Sequence, residues 1–228
     1  MKPRVLLFDI DGTLVTTGGV GRRALERAFQ RRCGRDDACA SFRLDGMTDR
    51  AIVRQGLAAI GREATEAAID DLLALYVEVL EAEVAAADMS RYRVHSGMEL
   101  ALDAARERGH AIGLGTGNIR EGARVKLSRV GLYERFSFGG FGNDHEHRVE
   151  LIRTGADRGA ALLGRPRSEC RVVVIGDTPR DVSAAQGIGA ECLGVGTGSF
   201  TAAQLIEAGA TWAFEDLAAP GAVDALVG

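Results

Sequence analysis

Lysine is nearly absent from this chain. Of 28 Lys and Arg residues, only Lys2 and Lys126 are lysine. The four cysteines, Cys33, Cys39, Cys170 and Cys192, include no C-x-x-C pair. That spacing argues against a zinc site or a disulfide framework and for the thiols of a reduced, cytosolic protein. A formal net charge of −4 provides no positive excess, which argues against a nucleic-acid binder. No apolar stretch approaches the length of a membrane span, so no membrane partner is expected. Only a short apolar run precedes Asp9, which does not read as a signal peptide. The expected location is therefore cytoplasmic. No internal repeat or low-complexity linker divides the sequence, so 228 residues read as one domain, or one domain with an insert.

Four short apolar runs are present, and each is broken by Asp, Thr or Gly. Arg4 to Phe8 runs into Asp9, and Ala111 to Gly115 into Thr116-Gly117-Asn118. Arg171 to Ile175 runs into Gly176-Asp177, and Glu191 to Val195 into Gly196-Thr197-Gly198. Helical patterns separate them. Such alternation predicts an α/β fold, a doubly wound parallel sheet covered by helices on both faces. Ligands of open α/β sheets bind beyond the carboxyl ends of the strands, where these polar residues all fall.

The first two runs are far apart. Between them, residues 15–92 show no buried-strand run but three helical patterns. These are Val20 to Arg32, a helix capped by Thr48 or Asp49 through about Ile60, and an Ala/Leu/Glu-rich stretch from Glu63 to Ala87. The expected organisation is a helical cap domain at 15–92 inserted into a core of 1–14 and 93–228. Ser96 is expected to cap a helix ending before Gly109, and Pro179 to open a helix after Asp177.

Asp9 and Asp11 stand two residues apart after the first run. In extended backbone such residues point to the same side. Two close carboxylates repel, which raises one pKa unless a cation lies between them. The arrangement suits a hard metal ion, or a nucleophile beside an acid/base.

Asp9-x-Asp11-Gly-Thr-Leu, Thr116 after an apolar strand, and Gly176-Asp177-x-x-x-Asp181 occur in that order. Together they resemble the haloacid dehalogenase-like hydrolase superfamily, specifically a phosphoglycolate-phosphatase-like member with a helical cap, over essentially the whole chain. The resemblance implies a Mg²⁺-dependent phosphomonoester phosphatase acting on a small phosphorylated metabolite such as phosphoglycolate, a sugar phosphate or a nucleotide. Asp9 would be the nucleophile, forming an aspartyl-phosphate, and Asp11 the acid/base. Asp177 and Asp181 would complete a Mg²⁺ site with Asp9 and the Asp11 backbone carbonyl. Thr116 would hold the phosphate, with Asn118 beside it and backbone N–H groups of Ile10, Asp11 and Gly117 completing the cradle. A sugar phosphomutase on the same scaffold is the alternative, followed by a non-catalytic binder. The chain would be a monomer or homodimer.

One departure from the family pattern concerns the phosphate-binding cation. Many relatives place a Lys-Pro pair before the fourth motif, and this chain instead has Arg148 in that region. Lys126, ten residues after Thr116, is a lysine retained against a strong arginine preference, and it is favoured over Arg148. Gly46-Met47-Thr48-Asp49 resembles a cap segment that faces the active site, so Thr48, Asp49 and Arg50 are candidate substrate contacts. Gly18-Gly19-Val20-Gly21 lacks the Gly-Lys-Ser/Thr of a phosphate loop and reads as a hinge into the cap. Asp144-His145-Glu146-His147 lacks the i, i+4 spacing of a helical zinc pair and reads as a solvated loop.

Overall fold

The computed structural model describes residues 3–228. In chain order the elements are β1 (Arg4–Phe8), β2 (Val15–Thr17), α1 (Val20–Cys33), α2 (Asp49–Ala59), α3 (Glu66–Ala85), β3 (Tyr92–Val94), α4 (Met98–Glu107), β4 (Ala111–Gly115), α5 (Arg120–Ser128), β5 (Phe138–Gly140), α6 (Arg148–Leu162), β6 (Arg171–Gly176), α7 (Pro179–Gly187), β7 (Glu191–Val195), α8 (Ala202–Glu207), β8 (Trp212–Phe214) and α9 (Ala222–Val227).

Six strands form one parallel sheet in the order β5-β4-β1-β6-β7-β8. Strand β1 is wholly buried, and its successive side chains feed opposite layers. Leu6 and Phe8 join a core containing Met98 and Leu102 of α4 and Leu226 of α9. Val5 and Leu7 join another with Leu151 and Ile152 of α6 and Val182 of α7. Because β1 lies between β4 and β6, the loops after these three strands meet at one crevice, the topological switch point of the sheet.

Helices α1, α2 and α3 lie between β2 and β3, which pair as a short antiparallel ribbon. Their apolar faces form a separate cluster around Phe29, Val53, Ile69 and Tyr76, to which Ile119 and Val125 also belong. The ribbon and the edge strands β5 and β8 are three residues each, too short to give an apolar pattern in the sequence.

Two helix starts differ from the sequence expectation. Helix α3 begins at Glu66 rather than Glu63, because Thr65 accepts the Ala68 N–H at 3.2 Å and sets the boundary. Helix α4 starts after Gly97 at φ 78°, a left-handed turn, and no Ser96 cap forms.

Helix α6 approaches the sheet closely where Gly140 of β5 faces Leu151 and Gly155. A methyl group at Gly140 would press on the Leu151 carbonyl and come within 3.0 Å of the Gly155 nitrogen. Those neighbours are backbone atoms and cannot rotate away. Gly140→Ala is therefore expected to destabilise the protein by about 2–3 kcal/mol. A lower denaturant midpoint at unchanged slope reads this out; an unchanged midpoint would show that α6 can lift off the sheet without cost.

Candidate active site

Past Phe8 the chain adds one more ladder bond, from the Asp9 N–H to the Ile175 carbonyl at 2.9 Å. It then turns sharply. The Ile10 carbonyl accepts N–H groups from Leu14 and Val15, and Gly12 adopts φ 81°. This turn fixes Asp9 in the crevice, 5% exposed, and sets Asp11 against Lys126 and Asn118.

Asp9 meets two carboxylates from the segment that follows β6. Carboxylate oxygens of Asp9, Asp177 and Asp181 all lie within 4.8 Å of one another. Asp177 follows β6 and accepts the Thr13 hydroxyl at 2.9 Å. Asp181 is the third residue of α7 and closes a capping box with Thr178, whose N–H and hydroxyl donate to Oδ2 at 3.0 and 2.7 Å. Its Oδ1 accepts Arg148 Nη2 at 2.5 Å, and the same Nη2 lies 2.8 Å from Asp9 Oδ2.

Three buried carboxylates against one guanidinium leave an electrostatic deficit. Burial raises the Asp9 pKa from 3.8 to about 6; Asp181 adds to this, while Arg148, the Thr116 hydroxyl and the Ile10 N–H oppose it. Burial likewise pushes Asp177 well above the ordinary carboxylate range, reinforced by Asp181 and Asp9. Arg148 is also shifted upward, which for a guanidinium favours the charged form: burial opposes its charge, but Asp181 and Asp9 outweigh burial.

These residues fit a hard divalent cation. Every donor is a carboxylate oxygen, the donor type Mg²⁺ selects. Gly12 and Gly198 both face Asp177 Oδ2, where a Cβ on either would collide with it. Both oxygens of Asp181 are engaged, by Arg148 and Thr178, so Asp9 and Asp177 are the better direct ligands. The Asp11 carboxylate lies outside the triad.

Instead, Asp11 Oδ2 accepts Lys126 Nζ at 2.6 Å and Asn118 Nδ2 at 3.0 Å. Asn118 also accepts Lys126 Nζ at 2.7 Å and donates to the Thr116 hydroxyl at 2.9 Å. Lys126 is 4% exposed; burial opposes its charge, but Asp11 and Asp49 outweigh burial and raise its pKa. A Cβ on Gly21 would sit 3.1 Å from its Nζ, so the bare glycine in α1 leaves the ammonium its space. The structure therefore brings both candidate cations into the site, Arg148 on Asp9 and Lys126 on Asp11.

A cavity of about 420 Å³ opens above this network. Asp9, Asp11, Asp177, Gly117, Asn118, Lys126 and Arg148 line its base, and Arg22, Leu25, Met47, Asp49, Ile52 and Tyr76 face it from the helical layer. Asp49 is thus at the cavity. Thr48 and Arg50 are not among its lining residues. Thr48 caps α2 by accepting the Ala51 N–H and donates its hydroxyl to the Glu146 carbonyl. Arg50 is drawn away to Glu66 and Asp70, which correct the expectation for that residue. The Asp144–His147 segment is a loop with His145 and His147 exposed, as expected, while Asp144 pairs with Arg158 and Glu146 with Arg54. The sequence reading did not anticipate Thr13, Thr178 or Tyr76. Thr178-Pro179-x-Asp181 did carry a legible capping-box spacing, whereas Tyr76 reads only as core.

Buried acidic groups thus gather at the switch point of a doubly wound sheet, where such folds bind their ligands. A family model for haloacid dehalogenase-like hydrolases matches residues 3–189, and the chain belongs to that family. No curated protein sequence matches it. Among solved structures, a hydrolase from Pseudomonas syringae is 20% identical with TM-score 0.69, over 93% of this chain and 94% of that one. CbbY from Rhodobacter sphaeroides, in complex with phosphate, is 18% identical with TM-score 0.72, over 98% of this chain and 100% of that one. A protein from Haemophilus somnus, named as a predicted phosphoglycolate phosphatase, is 16% identical with TM-score 0.67, over 96% of each chain. These likenesses are of fold.

The raised Asp9 pKa has a consequence for stability. The folded state holds the Asp9 proton more tightly than the unfolded chain, so this contribution is present below the ordinary value of 3.8 and is lost as pH rises through about 6. Asp9→Asn, uncharged at every pH, is expected to gain about 1–3 kcal/mol relative to wild type between about pH 4 and 7 in chelator. Denaturant unfolding across that range measures the gap. A gap that does not widen with pH would contradict the electrostatic reading.

Proposed function

We propose that this protein is a Mg²⁺-dependent phosphomonoester phosphatase that passes the phosphoryl group through Asp9 to water. The observation that carries this reading is the pairing of Asp9, buried between Arg148 and Thr116, with Asp11, held two residues on by Lys126 and Asn118. One carboxylate is placed to attack, and the next to handle protons.

In the first step an Asp9 oxygen attacks phosphorus and the ester P–O bond breaks, while Asp11 gives a proton to the departing oxygen. In the second, Asp11 takes a proton from water, the water oxygen attacks phosphorus, and the acyl-phosphate bond breaks to restore the Asp9 carboxylate. Thr116, Asn118 and Lys126 bind phosphate oxygens beside Asp11, with N–H groups of Ile10, Asp11 and Gly117 around them. Arg148 orients Asp9 and offsets its charge. Asp9 and Asp177, with Asp181, would hold Mg²⁺, which would supply neutralisation of phosphate charge.

The helical layer over the cavity, residues 15–92, acts as a cap that excludes bulk water and limits substrate size. Gly18 and Gly19, both at positive φ beside the β2–β3 ribbon, support a hinge there. The cavity volume, about 420 Å³, suits a small phosphorylated metabolite. Among the described residues no helix is long and apolar enough to cross a membrane.

Phosphate release from a panel of small phosphomonoesters, with Mg²⁺ and with chelator, tests the proposal. Release is expected only with Mg²⁺ and is expected to fall at least about 10³-fold in Asp9→Asn. Sugar-phosphate isomerisation without phosphate release would point to a mutase. Binding without either reaction would remove the catalytic reading.

A further inference from the structure

Helix α5 carries Lys126 but has no cap of its own. Its N-cap residue is Ile119, whose side chain accepts no hydrogen bond. Two acceptors come from outside the helix: Asn143 Oδ1 takes the Arg120 N–H at 2.5 Å, and Asp49 Oδ2 of the helical layer, 70 residues earlier, takes the Ile119 N–H at 2.8 Å. The Asp49 bond is reciprocated two residues earlier, where the Asp49 N–H donates to the Gly117 carbonyl at 2.8 Å. Gly117 fits beneath this contact because it lacks a side chain, a Cβ there lying 2.9 Å from the Thr48 Cα. Asp49 is 6% exposed, and its carboxylate is buried against the Ile119 N–H. The far end of α5 is tied as well, by Tyr92 Oη donating to the Lys126 carbonyl at 2.7 Å.

We propose that Asp49 is a positioning residue, which caps α5 across the interface and so fixes the phosphate-binding loop and Lys126 only while the helical layer is docked. A helix start left uncapped frays within its first turn. Fraying here would loosen Gly117 and Asn118, and through the Asn118 side chain, which accepts Lys126 Nζ at 2.7 Å, the placement of Lys126. Closure over the substrate would then complete the phosphate site as well as cover it. Asp49 acts through backbone amides, so its effect is blind to the organic part of the substrate. The turnover arm of the following test rests on the phosphatase reading; the exchange arm does not.

The test compares Asp49→Ala with Asp49→Asn, whose amide oxygen still accepts the Ile119 N–H. In Asp49→Ala, kcat is expected to fall roughly 10- to 100-fold, by the same factor for every ester in the panel. KM is expected to move by less than about threefold, and Asp49→Asn to recover most of the rate. Amide exchange at Ile119, followed by NMR on the whole protein, is expected to accelerate roughly tenfold in Asp49→Ala and to stay near wild type in Asp49→Asn. Equal loss in both variants, a loss that differs between esters, or unchanged exchange at Ile119 would each overturn the proposal. If the wild type released no phosphate, exchange at Ile119 would still decide the structural claim while the phosphatase reading failed separately.

Discussion

Burying three carboxylates with oxygens within 4.8 Å of one another is the constraint that organises this molecule. Asp9, Asp177 and Asp181 could not share such a volume as bare anions. The chain answers with backbone and hydroxyl donors from the β1 turn and the α7 cap, and with the buried guanidinium of Arg148. What remains is negative charge directed at one point, which is where a divalent cation fits. A second set, Asp11 with Lys126 and Asn118, is kept apart from the first and is closer to balanced. Separate electrostatic environments allow two carboxylates two residues apart to do different work.

The architecture serves that separation. A parallel sheet delivers three strand ends to one crevice, so residues distant in sequence meet without long loops. Helix α6 lies close on glycine-rich backbone, which carries Arg148 to Asp9. The helical layer contributes more than a roof. Asp45 accepts a hydrogen bond from Ser199, Arg148 donates to the Gly46 carbonyl, and Thr48 and Asp49 bond to the loops before α6 and α5. Residues 45–49 therefore bridge the two layers at the cavity's rim.

The parts legible in the sequence were those set by local pattern. Runs such as Val172–Ile175 followed by Gly-Asp read directly as buried parallel strands entering a site, and their order carried the family resemblance. Asp9, Asp11 and Asp177 were legible because they follow apolar runs, and Asp181, inside α7, through the family resemblance. Pairings were not legible. Nothing local shows that Lys126 faces Asp11 while Arg148 faces Asp9, since this depends on the depth of α6 on the sheet and on the space left by Gly21. Arg50 misled for the same reason: its motif neighbours point into the site, but helical rotation from Asp49 turns it to Glu66 and Asp70. Strands β2, β3, β5 and β8 were invisible because three residues hold no period.

The central claim is that Asp9 takes the phosphoryl group covalently. The most direct measurement is rapid acid quench during turnover of the best ester, followed by intact-mass spectrometry and peptide mapping. The account predicts one added phosphoryl group on the peptide containing Asp9, absent when Asp9→Asn is mixed with the same ester. Steady phosphate release with no adduct at any quench time, or an adduct on another residue, would contradict it.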